Sequence, residues 1–289
     1  MLPDIAAERA YLAGSLQAEI EQLDPGLRTA AAQLPQRIGK DDSATTLADC
    51  FSDLTLLYPL LVTEGVTLVP SERTRHFLVP HVLFVLYAHL DDRRRDRQIE
   101  IASAEVRLAD WLLGRARLQL ELAAGATWNR DVIELLLSTY AEAQETRASS
   151  PDELTHLIVR RHLPGIISAI TLLDAHRCEP PHLKGVAAGY RHLVLSLQWV
   201  DDLRDVEEDL ATGADNLLLS RVPKYIRDEA EFDKVIGWLH DLNLLATALT
   251  QARCHLAAAR RIACLLGCHR LAALLETRHQ WITQYGLPT

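Results

Sequence analysis

Long runs of apolar and small helix-forming residues fill this chain, and few residues interrupt them. Leucine and alanine are abundant, whereas only 13 glycines and 12 prolines occur among 289 residues. No stretch alternates apolar and polar residues for long enough to predict a strand. The pattern predicts an all-α protein, because apolar residues with a period near 3.6 bury one helix face against another helix.

Caps and breakers predict where the helices begin and end. Asp24-Pro25-Gly26 should end the first helix. A kink is expected at Pro80 and a break or kink at Pro164-Gly165. No linker rich in proline, glycine or serine divides the chain, so we expect a single domain over residues 1–289. The predicted helices span about 5–23, 44–64, 72–97, 99–123, 129–147, 151–177, 181–209 and 229–285.

Charge and cysteine content exclude several classes of protein. The 30 basic and 39 acidic residues leave a net charge of −9, which argues against a nucleic-acid partner. The N-terminus has neither a basic start nor an apolar core, and Phe77–Leu90 is too short and polar to cross a bilayer. We therefore expect a cytoplasmic protein without a transmembrane segment. The 5 scattered cysteines predict no disulfide framework or zinc site, and Cys264 and Cys268 are interpreted as core residues.

Two clusters of aspartates each follow an apolar helical run. The first cluster is Asp91-Asp92-Arg93-Arg94-Arg95-Asp96, in which Asp92 and Asp96 would share a helix face. The second cluster, residues 201–209, carries Asp201, Asp205 and Asp209 at intervals of four, also on one face. One such pattern arises readily by chance, but two after apolar helices are much less expected.

The second cluster would be unfavourable if nothing compensated its charge. Like charges at four-residue spacing repel, and carboxylates near a helix C-terminus oppose the helix dipole. For the first cluster, the alternative to a metal site is a helix end exposed to solvent, in which the three arginines of the cluster form salt bridges with its aspartates. Mg²⁺ prefers carboxylate oxygens and completes its shell with water and phosphate oxygens. Two acidic faces directed at one cavity would therefore hold Mg²⁺ and, through it, a diphosphate.

The second cluster resembles the metal motifs of class I isoprenoid synthases. Gln198-Trp199-Val200-Asp201-Asp202-Leu203-Arg204-Asp205 matches the second aspartate-rich motif of trans-prenyltransferases. The same segment, read as far as Asp209 and with Asn216 further on, is similar to the Asn/Ser/Glu motif of terpene synthases, including bacterial large-terpene synthases. The first cluster looks like the first aspartate-rich motif with one extra residue. The resemblance covers about residues 45–285 and implies a single antiparallel helix bundle around an apolar cavity.

The resemblance also implies a set of site residues. Three Mg²⁺ ions at the cavity mouth would ionise an allylic diphosphate, and Mn²⁺ would be able to substitute for Mg²⁺. Asp91 or Asp92 would act together with Asp96, opposite the aspartates of the second cluster. The implied metal ligands are Asp91, Asp92, Asp96, Asp201, Asp202, Asp205 and Asp209.

Cationic and aromatic side chains would bind the substrate. Arg160 or Arg161, before the break at Pro164-Gly165, matches the position of a diphosphate-sensing arginine. Arg278 and Tyr285 resemble a C-terminal Arg and Tyr pair, although they lie seven residues apart. The expected substrate contacts are Arg221, Lys224, Gln198, Tyr87 and Trp199.

Several functions fit these residues. The leading interpretation is a Mg²⁺-dependent terpene synthase, a lyase that acts on one prenyl diphosphate. The alternative is a prenyltransferase that joins two isoprenoid units, by chain elongation or by squalene- or phytoene-type condensation. Arg37-Ile38-Gly39-Lys40 matches poorly the basic N-terminal segment of elongating enzymes, which favours the first interpretation. A homodimer is a further expectation from the resemblance. The sequence decides neither the substrate chain length nor the product.

A remote alternative is a di-iron carboxylate bundle. The chain contains two Glu-x-x-His sequences, Glu153 to His156 and Glu276 to His279. Such a site also needs two further inward-facing glutamates. Glu153 is interpreted instead as a capping residue in the first turn of a helix.

Overall fold

The structure, a computed structural model, describes residues 4–38, 46–66, 71–95, 103–229 and 232–285. Throughout this part of the chain the regular structure is helical and no strand occurs, which confirms the all-α prediction. None of these helices is long and apolar enough to cross a membrane. The chain folds into two compact units, residues 1–136 with 164–183, and residues 137–163 with 184–289. The expectation of a single domain stays a prediction.

Unit 1 is built around three packed helices. Helices α6 (Leu78–Arg95) and α7 (Ser103–Ala124) pack against each other, and α10 (Pro164–Ala175) packs against both. The apolar face of α6 is buried, with Leu78, Leu83 and Phe84 at most 1% exposed. Three-residue and four-residue 3₁₀ turns at Gly125–Thr127 and Leu47–Cys50 complete the unit. Its helices are α1 (Ile5–Glu21), α2 (Pro25–Ile38), α3 (Asp53–Leu56), α4 (Tyr58–Val62), α5 (Ser71–Arg75), α6 (Leu78–Arg95), α7 (Ser103–Ala124), the first half of α8 (Arg130–Glu145), α10 (Pro164–Ala175) and the start of α11 (Pro180–Arg204).

Proline has a different effect in unit 1 from the one we predicted. Pro80 lies in the first turn of α6, where its missing N–H has no helical partner to lose, so the helix break falls before it at His76 and Phe77. Pro25, which we expected only to help end the preceding helix, also begins α2, a helix that the sequence analysis did not predict. The expected helix over 44–64 is replaced by a 3₁₀ turn and two short helices.

His81 is a buried neutral histidine in the core of unit 1. It is 1% exposed, and its Nε2 lies 2.6 Å from the carbonyl oxygen of Thr55. Because a carbonyl only accepts, Nε2 carries the proton, while Nδ1 has no hydrogen-bond partner among the described residues. Burial lowers the pKa of His81 from 6.5 to about 4, since an added proton would leave a buried charge on Nδ1.

This histidine should make the protein less stable in acid. The unfolded chain takes up a proton near pH 6.5, whereas the folded chain resists protonation down to about pH 4. The free energy of unfolding should therefore fall by about 2.5 kcal/mol between pH 7.5 and 4.5 through this group alone. Urea unfolding at both pH values measures the fall, and His81→Gln, which keeps an N–H donor for Thr55, should lose that much less. Equal losses in the two proteins would contradict the assignment.

Unit 2 contains most of α11 and the C-terminal helices. Its helices are the second half of α8, α9 (Pro151–Arg161), most of α11, α12 (Val206–Thr212), α13 (Lys224–Glu229), α14 (Phe232–Asp241), α15 (Leu244–Leu265) and α16 (His269–Tyr285). Helices α15 and α16 pack against each other as a hairpin, with Gly267 in the left-handed conformation between them. Cys268 is buried as expected, but Cys264 is exposed because it faces away from that hairpin's core.

Two glycines of α11 lie where this helix contacts α15 and the residue that follows α15. A Cβ on Gly185 would come within 2.8 Å of the Leu266 side chain, and one on Gly189 within 3.4 Å of Ile262. Further along, the Ser196 hydroxyl donates to the carbonyl oxygen of Ala252 at 2.8 Å. The Ser196 hydrogen bond holds the C-terminal half of α11, which leads into the second aspartate cluster, against α15.

Candidate functional site

The second aspartate cluster lies at the junction between α11 and α12. The predicted single helix over 181–209 is interrupted at Asp205, whose backbone leaves the helical region. The four-residue hydrogen-bond spacing nevertheless continues, from the Asp205 N–H to the Asp201 oxygen at 3.0 Å and from the Asp209 N–H to the Asp205 oxygen at 2.8 Å. Asp201, Asp205 and Asp209 therefore remain one turn apart, as the spacing predicts.

Asp202 differs from its neighbours because the fold satisfies its carboxylate. The side chain is buried, one oxygen accepts from the Gln198 amide at 2.6 Å and the other from the Leu217 N–H at 2.6 Å. Burial raises the pKa of Asp202 to about 7, against the effect of these hydrogen bonds. This arrangement is that of a structural anchor, so we leave Asp202, and with it Gln198 as a substrate contact, out of the proposed site.

Asn216 fastens the loop that follows α12 to the cluster. Its side-chain amide donates to the Asp202 carbonyl oxygen at 2.8 Å and to the Asp209 carboxylate at 2.7 Å. Its side-chain oxygen accepts from the N–H groups of Leu218 and Leu219, at 2.9 and 3.0 Å. A residue noted in the sequence only as part of a motif thus positions one of the three accessible aspartates.

Asn216→Ala should destabilise the protein substantially. Asn216 is 2% exposed, and the substitution leaves two buried N–H groups without an acceptor. We expect the free energy of unfolding, measured in urea, to fall by about 2–4 kcal/mol. Thr212→Ala, at an exposed position of α12 in the same segment, is the control and should change it by less than about 0.5 kcal/mol. A similar small effect for both variants would show that the Asn216 hydrogen bonds do not hold this loop.

The three other aspartates concentrate negative charge at the junction between α11 and α12. Asp205 is exposed, the Asp201 side chain is 43% exposed, and Asp209 is half-buried. Burial first, then the nearby Asp205 and Glu208, raises the pKa of Asp209 to about 6. A hard divalent cation would offset this charge, and the carboxylate oxygens present are ligands that it prefers.

The described residues do not form a complete metal cage. No three Asp, Glu, His or Cys side chains within the described ranges converge closely enough to hold an ion by themselves. Mg²⁺ usually takes one or two carboxylates and completes its shell with water and substrate phosphates. The residues of the second cluster therefore fit a Mg²⁺ that binds together with a diphosphate.

In the first cluster the structure distinguishes the two adjacent aspartates. Asp91 is 1% exposed, and its oxygens contact Arg94 at 2.5 Å and Arg95 at 3.0 Å. Asp92 is exposed at the end of α6. Asp91 is therefore a poor candidate ligand and Asp92 the better one. Asp96 lies outside the described residues, and the expectation that both clusters border one cavity stays a prediction.

Arg160 and Arg161 both have partners within unit 2. Arg161 donates to the carbonyl oxygens of Ala143 and Thr146 and pairs with the Asp215 carboxylate at 2.9 Å. Arg160 pairs with Glu142 at 3.1 Å on the surface. Arg161 is thus occupied by two carbonyl oxygens and Asp215, and Arg160 is occupied by Glu142. Neither arginine is therefore included in the proposed site.

The predicted substrate contacts lie in different surroundings. The Arg221 guanidinium lies 5.2 Å from the centre of the buried Trp199 ring, so this aromatic surface already faces a cation. Lys224 is exposed at the first turn of α13. Tyr87, in unit 1, is half-buried one turn before Asp91, and burial together with that carboxylate raises its pKa. The roles of these four residues stay predictions.

Arg278 lies beside the second cluster and close to Arg204, a residue that the sequence analysis did not select. Its guanidinium is 4.7 Å from the centre of the Trp281 ring, and the Arg204 guanidinium is 5.4 Å from the same centre. Arg204 in turn lies 4.0 Å from Asp201. The only signal for Arg204 in the sequence was its position inside the second motif. Tyr285 ends α16, and its side chain is not among those described.

The di-iron alternative finds no support in the described residues. Glu153 accepts from the N–H and hydroxyl of Ser149, at 2.7 and 2.6 Å, as its interpretation as a capping residue predicts. Glu276 pairs with Arg260 at 2.7 Å. Each glutamate is thus paired separately, and neither belongs to a ligand cluster within the described ranges.

No family model and no curated protein match this chain, but solved structures share its fold. One is a geranylgeranyl pyrophosphate synthetase from the archaeon Geoglobus acetivorans, at 15% identity and a TM-score of 0.70, covering 94% of this chain and 98% of that one. Another is a geranylgeranyl pyrophosphate synthetase from Pyrococcus horikoshii Ot3, at 14% identity and 0.66, covering 97% of each chain. A third is an FPP/GFPP synthase from Zymomonas mobilis, at 15% identity and 0.55, covering 92% of this chain and 99% of that one. The fold of this chain is therefore the all-α isoprenoid synthase type.

Proposed function

We propose that this chain is a Mg²⁺-dependent prenyltransferase that joins an allylic prenyl diphosphate to a second isoprenoid diphosphate. The observation that carries the proposal is the accessible trio Asp201, Asp205 and Asp209, held by a buried anchor in an isoprenoid synthase fold. The names of the three similar structures are those of prenyl diphosphate synthases, which favours this function over the terpene synthase expected first.

Some residues of the proposed site position others, and some carry the negative charge that would bind cations. Asp202 and Asn216 orient the α11–α12 junction through hydrogen bonds, and Asp201, Asp205 and Asp209 would present carboxylate oxygens to cations. Bound Mg²⁺ would supply Lewis-acid stabilisation of the charge that develops on the departing diphosphate. The allylic carbon–oxygen bond breaks, a carbon–carbon bond forms to the second isoprenoid unit, and diphosphate and a proton leave.

A terpene synthase is the second candidate, and one observation favours it specifically. Arg278, the residue that resembles a C-terminal diphosphate contact of terpene synthases, lies in the same unit as Asp201 and close to Arg204. The poor match of Arg37-Ile38-Gly39-Lys40 to the basic N-terminal segment of elongating enzymes also favours the terpene synthase, and Gly39 and Lys40 lie outside the described residues.

Incubation with labelled isopentenyl diphosphate tests the proposal. The full chain is supplied with Mg²⁺, the label and each of the C5, C10, C15 and C20 allylic diphosphates. We expect label in a longer prenyl diphosphate with at least one partner. Hydrocarbon and diphosphate from a single allylic substrate, with no label consumed, would replace the proposal by the terpene synthase. No turnover in either format would contradict both.

A further inference from the structure

Two histidines of unit 2 face each other across neighbouring helices. His192 lies on α11 and His255 on α15, and their Nδ1 atoms are 2.9 Å apart. The ring planes are tilted by 39°, and the ring centres are 5.2 Å apart. At this distance the Nδ1 of one ring carries the proton that the Nδ1 of the other accepts. The pair therefore brings two imidazole nitrogens together with a single hydrogen between them.

The two helices that carry this pair are held together on both sides of it. One turn further along α11, the Ser196 hydroxyl donates to the carbonyl oxygen of Ala252 on α15, at 2.8 Å. Toward the start of α11, a Cβ on Gly189 would lie 3.4 Å from the Ile262 side chain of α15. Because these contacts do not involve the imidazoles, the two rings stay close together even when the proton between them is replaced.

Both imidazoles are neutral at pH 7, which is the form that binds metals. Burial, and after it the charge of Arg191, lowers the pKa of His192. Burial, then His192 and Arg191, lowers the pKa of His255. A metal that binds both Nδ1 atoms releases no proton, because the shared hydrogen moves to Nε2 of the ring that carried it and both rings remain neutral.

The distance between the two nitrogens favours one coordination geometry. Imidazole nitrogens lie about 2.0–2.1 Å from a divalent transition metal, so two of them are about 2.9 Å apart at a right angle and about 3.4 Å apart at a tetrahedral angle. The observed 2.9 Å matches the right angle, which is typical of Ni²⁺ and Cu²⁺. Each ring must turn about its Cβ–Cγ bond until its lone pair points at the ion, and this torsion is soft in histidine.

We propose that His192 and His255 form a two-histidine site for a divalent transition metal, with Ni²⁺ or Cu²⁺ preferred and water in the remaining positions. The site is separate from the second aspartate cluster. His192 precedes Asp201 by nine positions on α11, which is about 13 Å along the helix axis and the opposite face of the helix. Its ligands are nitrogens, which hard Mg²⁺ does not prefer, so the inference is independent of the proposed function.

Calorimetric titration of the full chain with Ni²⁺ tests this site, in the presence of excess Mg²⁺, which competes for carboxylates. We expect one tightly bound Ni²⁺ per chain. His192→Gln and His255→Gln should each weaken its binding by about 100-fold or more, because the second ligand of a preformed pair binds intramolecularly and its loss removes that advantage. Arg191→Gln should strengthen binding about threefold, since it removes a positive charge near the ion. Ni²⁺ should also raise the urea midpoint of the parent and not that of the histidine variants.

His240→Gln is the matched control, because His240 is an exposed histidine of α14 in the same unit. It should bind Ni²⁺ as the parent does, and circular dichroism without metal should show every variant folded. Unchanged Ni²⁺ binding in His192→Gln or His255→Gln would overturn the inference. Arg191→Gln keeps both imidazoles, so unchanged binding there contradicts the site even if a histidine variant does not fold. Tighter binding of Zn²⁺ than of Ni²⁺ would overturn the right-angle geometry.

Discussion

Replacing Asp205 by asparagine should lower the rate of prenyl diphosphate turnover by at least about 1,000-fold. A cation that stabilises the departing diphosphate lowers the barrier by several kcal/mol, and the loss of an ionised ligand forfeits much of that effect. Asp205 is exposed and makes no capping hydrogen bond to α12, so its charge is not needed to begin that helix. Initial rates with saturating Mg²⁺ measure the loss.

Two comparisons separate a catalytic effect from a structural one. The free energy of unfolding of Asp205→Asn in EDTA should stay within about 0.5 kcal/mol of the parent, because removing one of several like charges relieves repulsion. Glu207→Gln makes the same charge change at an exposed position two residues away and should retain near-normal turnover. Near-normal turnover in Asp205→Asn would mean that the second cluster is only a solvated helix end.

Removal of divalent cations should abolish turnover just as completely. After EDTA treatment and gel filtration we expect the rate to fall by at least about 1,000-fold. Mg²⁺ or Mn²⁺ should restore it, whereas Zn²⁺ and iron should not, because the proposed ligands are carboxylates with no cysteine or histidine among them. Restoration is followed by initial rate against added metal. Full activity of the metal-free chain would reject the whole metal-site proposal.

The sequence predicted the fold class and most of the helices correctly. Caps and breakers act within a few residues, so the helix start predicted at residue 151 and the break predicted at Pro164 are both real. The same local rules failed over 44–64, where short helices replace a long one, and at Pro80, where a proline that should kink a helix lies in the first turn of one. At both places the competing local signals are close in energy, and packing in unit 1 decides between them.

The aspartate spacing likewise predicted which carboxylates lie one turn apart, but not which of them the fold anchors. Asp202 and Asp201 are adjacent in sequence, yet one is anchored by the Leu217 N–H and the other remains accessible. Asp91 and Asp92 differ in the same way, since arginines one turn away occupy the first of them. Nothing in either motif distinguishes the anchored aspartate of each pair from its accessible neighbour.

The proximity of Arg204 to Arg278 likewise could not be predicted from the sequence. These residues are 74 positions apart in the chain and meet at Trp281 only because α11 and α16 fold into one unit. The sequence alone determined the local periodicity and therefore the helices and the intervals between charges. The tertiary structure decided which charged groups find a partner inside the protein, because hydrogen-bond donors and packing neighbours come from distant residues.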